Sequence, residues 1–331
     1  MTDSKRKIFL WLILLCTLIG LPKGLGPYYT NIFLTFAIFA TYAVALNLLL
    51  GFTGLLSFGH AAYFGFGAYG TALALIHLKG ISLLVAIGIG ALSSTVLALL
   101  LSPIVVRVGG AAFAMVHLAI GQVLYVLALK LANITGGEDG LGSFLNSPMK
   151  IIGPFSVDMR PASVDFYYFA MVVIVCSIWL MWFFTKTPFG QVQIAMRDNK
   201  KRVSFLGYRV QHSKAVIYLA SAFFSGIAGS LLAIFHNLVS AGGAFGIMVN
   251  FLPIIAILIG GSAHFFGPVL GAAVFQVLEQ MTAQYTSKVE LVIGLVLVSI
   301  VLFAPSGILG SIEIFKARRS KRRFLALNRS E

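Results

Sequence analysis

The sequence predicts an all-α integral membrane protein of about ten transmembrane helices with both termini cytoplasmic, and three observations carry that reading. Hydrophobic residues make up 59% of the 331 residues and charged residues only 10%, against roughly 45–50% and about 25% in ordinary globular chains. A water-soluble fold so poor in charge has no means of covering its surface with polar groups. Long stretches contain no Asp, Glu, Lys or Arg at all: 8–22, 24–78, 80–106, 108–129, 166–185, 215–278 and 291–312. The basic residues, finally, are spread unevenly over the segments between those stretches.

Each element follows from the length of apolar chain, about 20 residues, that a bilayer-spanning helix needs. Cutting the long runs at their glycine-rich interruptions gives helices near 8–22, 28–50, 55–78, 81–103, 109–131, 164–184, 215–236, 247–261, 266–286 and 289–305. The first is short and follows Lys5, Arg6 and Lys7, as a signal peptide would. No small-residue cleavage site comes after it, so it reads as a retained helix. An even number of spans puts both ends on one side. With the N-terminus inside, 18 of the 24 Lys and Arg residues fall on inside segments and six outside, the bias that cytoplasmic loops carry. The net charge of +14 is therefore a topology signal rather than a nucleic-acid footprint. Cys16 and Cys176 lie in apolar runs and read as small core residues, not as a disulfide or metal site.

Catalytic motifs are missing from the sequence. No Gly is followed by Lys, so the chain has no phosphate-binding loop of the Walker type and does not bind ATP in that manner. There is no H-E-x-x-H motif and no pair of carboxylates within a span. The ionisable residues inside spans are Glu279, His60, His117 and His236, too sparse a set for a proton or ion relay. Each histidine reads as a hydrogen-bonded core residue, and Glu279 as a side chain reaching for the outer interface. An ion-coupled secondary transporter and a membrane-embedded enzyme are thereby disfavoured. No catalytic residue, cofactor or metal ligand is assigned.

Two regions carry the functional signal. The first is glycine, of which there are 34. Within lipid, small residues let helix backbones approach closely, which accounts for the tracks Gly65, Gly67, Gly70 and Ser225, Gly226, Gly229. The stretches Gly51-Phe-Thr-Gly-Leu-Leu-Ser-Phe-Gly-His60 and Gly260–Pro268 ask for more, because there the helical pattern breaks between apolar halves. Broken backbone at membrane depth is tolerated where protein buries it or a cavity borders it, and a break in each half of the chain points to a transport path. Ser57, Gly59, His60 and Ala61, facing Gly267, Pro268 and Gly271, are the expected lining or gate. A bulky residue at Gly59 is expected to abolish uptake while the fold survives. The second region is the inside loop 185–214, the longest between spans. From Gly190 to Gly207 it places Val192, Ala195, Met196, Val203 and Leu206 at near-helical spacing, with Arg197, Lys200 and Lys201 towards another face. Such a basic amphipathic stretch either lies on anionic lipid or docks on a soluble partner.

Ala45-Leu-Asn-Leu-Leu-Leu-Gly-Phe-Thr-Gly-Leu-Leu-Ser-Phe-Gly-His-Ala-Ala-Tyr-Phe-Gly-Phe-Gly-Ala-Tyr69 resembles the signature of the bacterial branched-chain amino acid ABC importer permeases, particularly the LivM-type subunit. Thr135-Gly-Gly137, the Gly190–Gly207 loop followed by Ser225-Gly-Ile-Ala-Gly-Ser-Leu-Leu-Ala233, Gly267-Pro-Val-Leu-Gly271 and Ala304-Pro-Ser-Gly307 follow in the family's order. The resemblance implies a single permease domain over 1–331 in a bacterial inner membrane. It also implies a second, LivH-like permease, two cytoplasmic LivG/LivF-like ATPases and a periplasmic binding protein as partners. Loop 185–214 would then carry the ATPase-coupling helix, with Ala195, Met196, Val203 and Leu206 seated in an ATPase groove. Arg197, Asp198 and Asn199 would make polar contacts around that seat. His117, Gln122 and Gly109-Gly-Ala-Ala112 depart from the family's usual residues. Related importers carry urea, short amides or sugars.

Overall fold

The computed structural model describes residues 3–78, 80–145, 149–152, 155–157, 164–286, 288–304 and 306–313. The basic residues from Lys316 to Arg329 lie outside this set. The chain is an all-α integral membrane protein. Helix α1 runs Asp3–Thr53 but is interrupted at Gly26, whose φ of 78° and ψ of 173° are non-helical. That kink, between Pro22 and Pro27, separates the two stretches the sequence reads as 8–22 and 28–50. The connection is stapled by Thr30, whose hydroxyl donates to the Gly26 carbonyl at 2.8 Å.

After α1 come α2 (Ala61–His77), α3 (Leu83–Val105), α4 (Ala111–Lys130) and the single turn α5 (Ala132–Thr135). Three short strands follow, β1 (Leu141–Gly142), β2 (Met149–Ile152) and β3 (Phe155–Val157), then α6 (Val164–Lys186). Loop 187–209 holds α7 (Pro188–Asp198) and α8 (Lys200–Phe205). The chain continues with α9 (Val210–His236), β4 (Leu238–Val239), the short α10 (Ala241–Phe245), α11 (Ile247–Gly260), α12 (Gly267–Tyr285) and α13 (Val289–Phe303). Strand β2 pairs with β3 as a hairpin, and β1 pairs antiparallel with β4 in the register Leu141↔Val239.

Six helices among the described residues are long and apolar enough to cross a membrane: Gly26–Thr53, Leu83–Val105, Ala111–Lys130, Val164–Lys186, Val210–His236 and Ala241–Gly260. Helix α2 has 17 residues, of which 12 are buried, so it forms the centre of the bundle. Small residues permit this. An added methyl at Gly67 would meet the Gly226 backbone of α9, and one at Gly229 would meet the Phe64 carbonyl of α2. Without side chains at the crossing the two backbones approach directly, the packing that lipid favours because apolar surface alone drives no association there. Hydroxyls knit the same layer: Thr71 donates to Ser230 at 2.7 Å and Ser94 donates to the Tyr63 carbonyl at 2.6 Å. The outer helices turn large apolar side chains outwards, including Leu92, Leu99 and Leu100 on α3, Trp179 and Phe183 on α6, and Leu291 and Leu295 on α13.

Candidate functional site

The first break falls inside the Gly51–His60 stretch, and α2 starts at Ala61 rather than at residue 55. Helix α1 stops because Gly54 is left-handed, with φ of 70°, a region that costs other residues a Cβ clash. Its N–H returns to the Leu50 carbonyl at 3.0 Å and the Leu55 N–H to the Leu49 carbonyl at 3.4 Å, closing the helix end. The irregular backbone beyond it is buried in protein: Leu55, Ser57, Gly59 and His60 are all inaccessible. That burial satisfies the rule that non-helical chain at membrane depth must be shielded from lipid.

Three other helices hold this segment. His60 Nε2 lies 2.9 Å from Ser225 Oγ and 3.1 Å from Ser221 Oγ, both on α9. Ser221 donates its own hydrogen to the Ala45 carbonyl at 2.5 Å and Ser225 donates to the Ser221 carbonyl at 2.8 Å. An Nε2–H tautomer of His60 fits this cluster, since it leaves both hydroxyl hydrogens for the carbonyls. His117 on α4 is the opposite tautomer, because its Nδ1 donates to the Phe113 carbonyl at 2.9 Å. Tyr63 and Tyr218 join hydroxyl to hydroxyl beside them, and Tyr42 stacks on His60 with ring centroids 6.0 Å apart. The Ala61 N–H, unpaired at a helix start, donates to Asn250 Oδ1 on α11 at 2.8 Å. A methyl at Gly59 would fall on the His117 carbonyl, so the backbone of α4 lies directly on the break.

The second break is built differently. Gly261, with φ of 103°, ends α11, and Pro268 sits in the first turn of α12, where its missing N–H costs nothing. Gly260, Gly267 and Gly271 bring the two helices together backbone to backbone. Added methyls there would meet the carbonyls of Gly267, Gly261 and Ala256 respectively. The expected face-to-face arrangement of Ser57–Ala61 and Gly267–Gly271 is not what these contacts describe. The first segment rests on α4, α9 and the first half of α11, whereas the second rests on the latter half of α11. The expectation for Gly59 also changes, because a bulky side chain there collides with backbone and disturbs the fold itself.

In loop 187–209, Thr187 caps α7 by accepting from the Gly190 N–H at 3.3 Å, and Asn199 caps α8 by accepting from the Arg202 N–H at 3.0 Å. Gly190 is packed against the Thr185 carbonyl, and Gly207, with φ of 87°, turns the chain towards α9. Met196 is 1% exposed and Val203 3%, so both fasten the loop to its own chain and neither is free to seat in a partner. The apolar residues expected on one face are divided, with Met196 and Val203 buried and Ala195 and Leu206 exposed. The outward apolar residues keep Ala195 and Leu206, at 71%, from the expected set and add Ile194, Phe205 at 89% and Tyr208. Asp198 and Arg197 are both exposed, but Arg197 reaches back to its own chain, its Nη1 donating to the Gly51 carbonyl at 2.5 Å. Asn199 is likewise occupied by its own helix. Alongside, an open groove of about 590 Å³ is bordered by Val106, Ser204, Tyr208, Arg209 and His212.

The residues that sequence reasoning missed are Asn47, Asn250 and Ser221, together with the bond of Arg197 to Gly51. A signal existed for the two asparagines, since an amide in a long apolar run needs a partner. Among the described residues no group of three His, Cys, Asp or Glu is placed to hold a metal ion.

Long apolar helices around a buried break define a polytopic helical membrane protein. Residues 28–304 match the family described as the permease component of the branched-chain amino acid transport system, and the chain belongs to that family. It is 25% identical over 261 residues to the high-affinity branched-chain amino acid permease LivM of Escherichia coli K12, covering 73% of this chain and 61% of LivM. It is 26% identical over 266 residues to the probable permease LivH of Methanocaldococcus jannaschii, covering 74% and 79%. The chain thus spans about three fifths of the length of the LivM relative. No solved structure matches it.

Proposed function

We propose that this chain is one permease subunit of an ATP-driven importer of branched-chain amino acids, supplying half of a translocation path. The family match over residues 28–304 carries the reading. In it, ten helices cross a bacterial inner membrane with both termini cytoplasmic. A second permease completes the path, a periplasmic protein delivers substrate, and two ATPases supply energy, since the sequence has no Walker-type loop of its own. Segments 51–54, 106–110, 187–214 and 261–266 meet on one side of the molecule. Arg197 joins Gly51, Lys200 Nζ lies 3.8 Å from the Cβ site of Gly109, and Ser262 packs on Gly51. That side carries the basic loop, which supports its assignment as cytoplasmic. The two breaks, with Ser57, Gly59, His60 and Ala61 in one and Gly267, Pro268 and Gly271 in the other, flank the path as hinges. The docking edge on the ATPases is Ile194, Ala195, Phe205 and Leu206.

The experiment is co-expression with the candidate partners, reconstitution into proteoliposomes, and uptake of leucine, isoleucine and valine against urea, acetamide and ribose. ATP-dependent uptake of the three amino acids is expected. Uptake of urea, acetamide or ribose in their place moves the substrate to a related importer, and ion-driven uptake by this chain alone overturns the reading. Leu206→Asp is expected to release the ATPases while leaving the subunit folded. Met196→Asp instead destabilises the subunit, because it buries an unpaired charge.

A further inference from the structure

A helix leaves its last four carbonyls without intrahelical partners. At the end of α1 the Leu50 carbonyl is taken by the Gly54 N–H, and the next one, on Gly51, is taken by Arg197, 146 residues further along the chain. A guanidinium at a helix C-terminus satisfies the carbonyl and opposes the negative end of the helix dipole together. The stem of the same side chain lies along Gly54, its Cγ 3.5 Å from the Cβ site. Gly51 has a second neighbour. The space a side chain would fill there is taken by the Ser262 carbonyl. One turn earlier, on the same helix face, Asn47 Nδ2 donates to the His264 carbonyl at 3.4 Å. One turn of α1 therefore touches the loop, the start of the first break and the turn of the second. Met196, beside Arg197, is buried, and α8 with its outward Phe205 and Leu206 follows directly.

We propose that Arg197 is a positioning residue of the transport cycle. As a cap lent by the loop to α1, it binds loop movement to Gly51 and, through Gly51 and Asn47, to the Ser262–His264 turn, so that both breaks respond together. This rests on the coupling reading above and goes beyond it, since it assigns a route inside the subunit rather than a contact with a partner. Arginine suits the task because its planar fork holds a fixed direction, whereas lysine offers a mobile point charge.

The test uses the assembled importer in proteoliposomes, with Cys16→Ala and Cys176→Ala as background and Ala263→Cys as a reporter on the exposed tip of the second break. Four quantities are measured for Arg197→Gln and Arg197→Lys: partner co-purification, ATP turnover, uptake per ATP hydrolysed, and the change in maleimide labelling of Ala263→Cys on vanadate trapping. Arg197→Gln is expected to keep its partners and its ATP turnover but to lose uptake per ATP on the order of tenfold, a usual size for allosteric coupling. Its labelling change on trapping should vanish, and Arg197→Lys should recover part of both. Unchanged uptake per ATP with an unchanged labelling response overturns the proposal and leaves Arg197 a static cap. Loss of the ATPases from Arg197→Gln overturns it too, by making Arg197 a partner contact. Should Arg197→Gln not fold, the Lys variant decides: intermediate values support the route and wild-type values overturn it. Failure of the docking reading is separate, being scored by ATPases that stay bound to Leu206→Asp.

Discussion

The two helix breaks are held largely by different means. The first is held by polar side chains reaching across the bundle. His60 bonds two serines of α9 more than 160 residues away, and Ala61 bonds Asn250 at a separation of 189. The second is held by the absence of side chains, Gly260, Gly267 and Gly271 letting α11 and α12 touch as a local hairpin. A hydrogen bond can be weakened in steps, by removing one partner at a time. A backbone contact has no such gradation, because any Cβ at all must push a carbonyl aside. The first break combines both means, since Gly59 also rests on the His117 carbonyl, while Gly260, Gly267 and Gly271 hold the second by backbone contact.

That contrast is open to attack by substitution, and the largest effects are expected at the glycines. Gly271→Leu places a branched side chain against the Ala256 carbonyl, and should cost about 3 kcal/mol or more, the upper range for overpacking. Thermal unfolding of the solubilised subunit measures it, and Gly59→Leu should behave alike through the His117 carbonyl. A stable, well-folded Gly271→Leu would show that the second break is not held by this backbone contact.

Next in size is His60→Ala, which removes a fully buried ring and its bonds to Ser221 and Ser225, for about 2–3 kcal/mol. A double-mutant cycle with Ser225→Ala should return a coupling of about 1 kcal/mol, as expected for groups in direct contact. A coupling near zero would mean that the ring's shape, not its hydrogen bond, fixes the first break. Asn250→Ala should cost about 1 kcal/mol, the usual loss of a helix N-terminal cap. Faster exchange of the Ala61 amide, with the remainder of α2 unaffected, would check it. The smallest effect belongs to Gly88 in α3, which has nothing within 4 Å of its Cβ site. Gly88→Ala should be neutral or stabilising by up to about 1 kcal/mol, through helix propensity alone.

Hydropathy by itself determined that the chain is helical and membrane-embedded, where its long apolar runs lie, that glycine interrupts it near 51–60 and 260–268, and that 190–207 is amphipathic and basic. These are local properties: the length of an apolar run against the thickness of a bilayer, and the inability of residues other than glycine to turn left-handed cheaply. Only the tertiary structure decided that α2 starts at Ala61, that Met196 and Val203 face inwards while Phe205 and Leu206 face out, that Arg197 caps α1, and that the two breaks sit on different halves of α11. The physical reason is that lipid is as apolar as a protein core, so a hydrophobic residue does not announce which of the two it will meet. Its neighbour is chosen by close packing and by hydrogen bonds between residues far apart in sequence, and no local pattern records that choice.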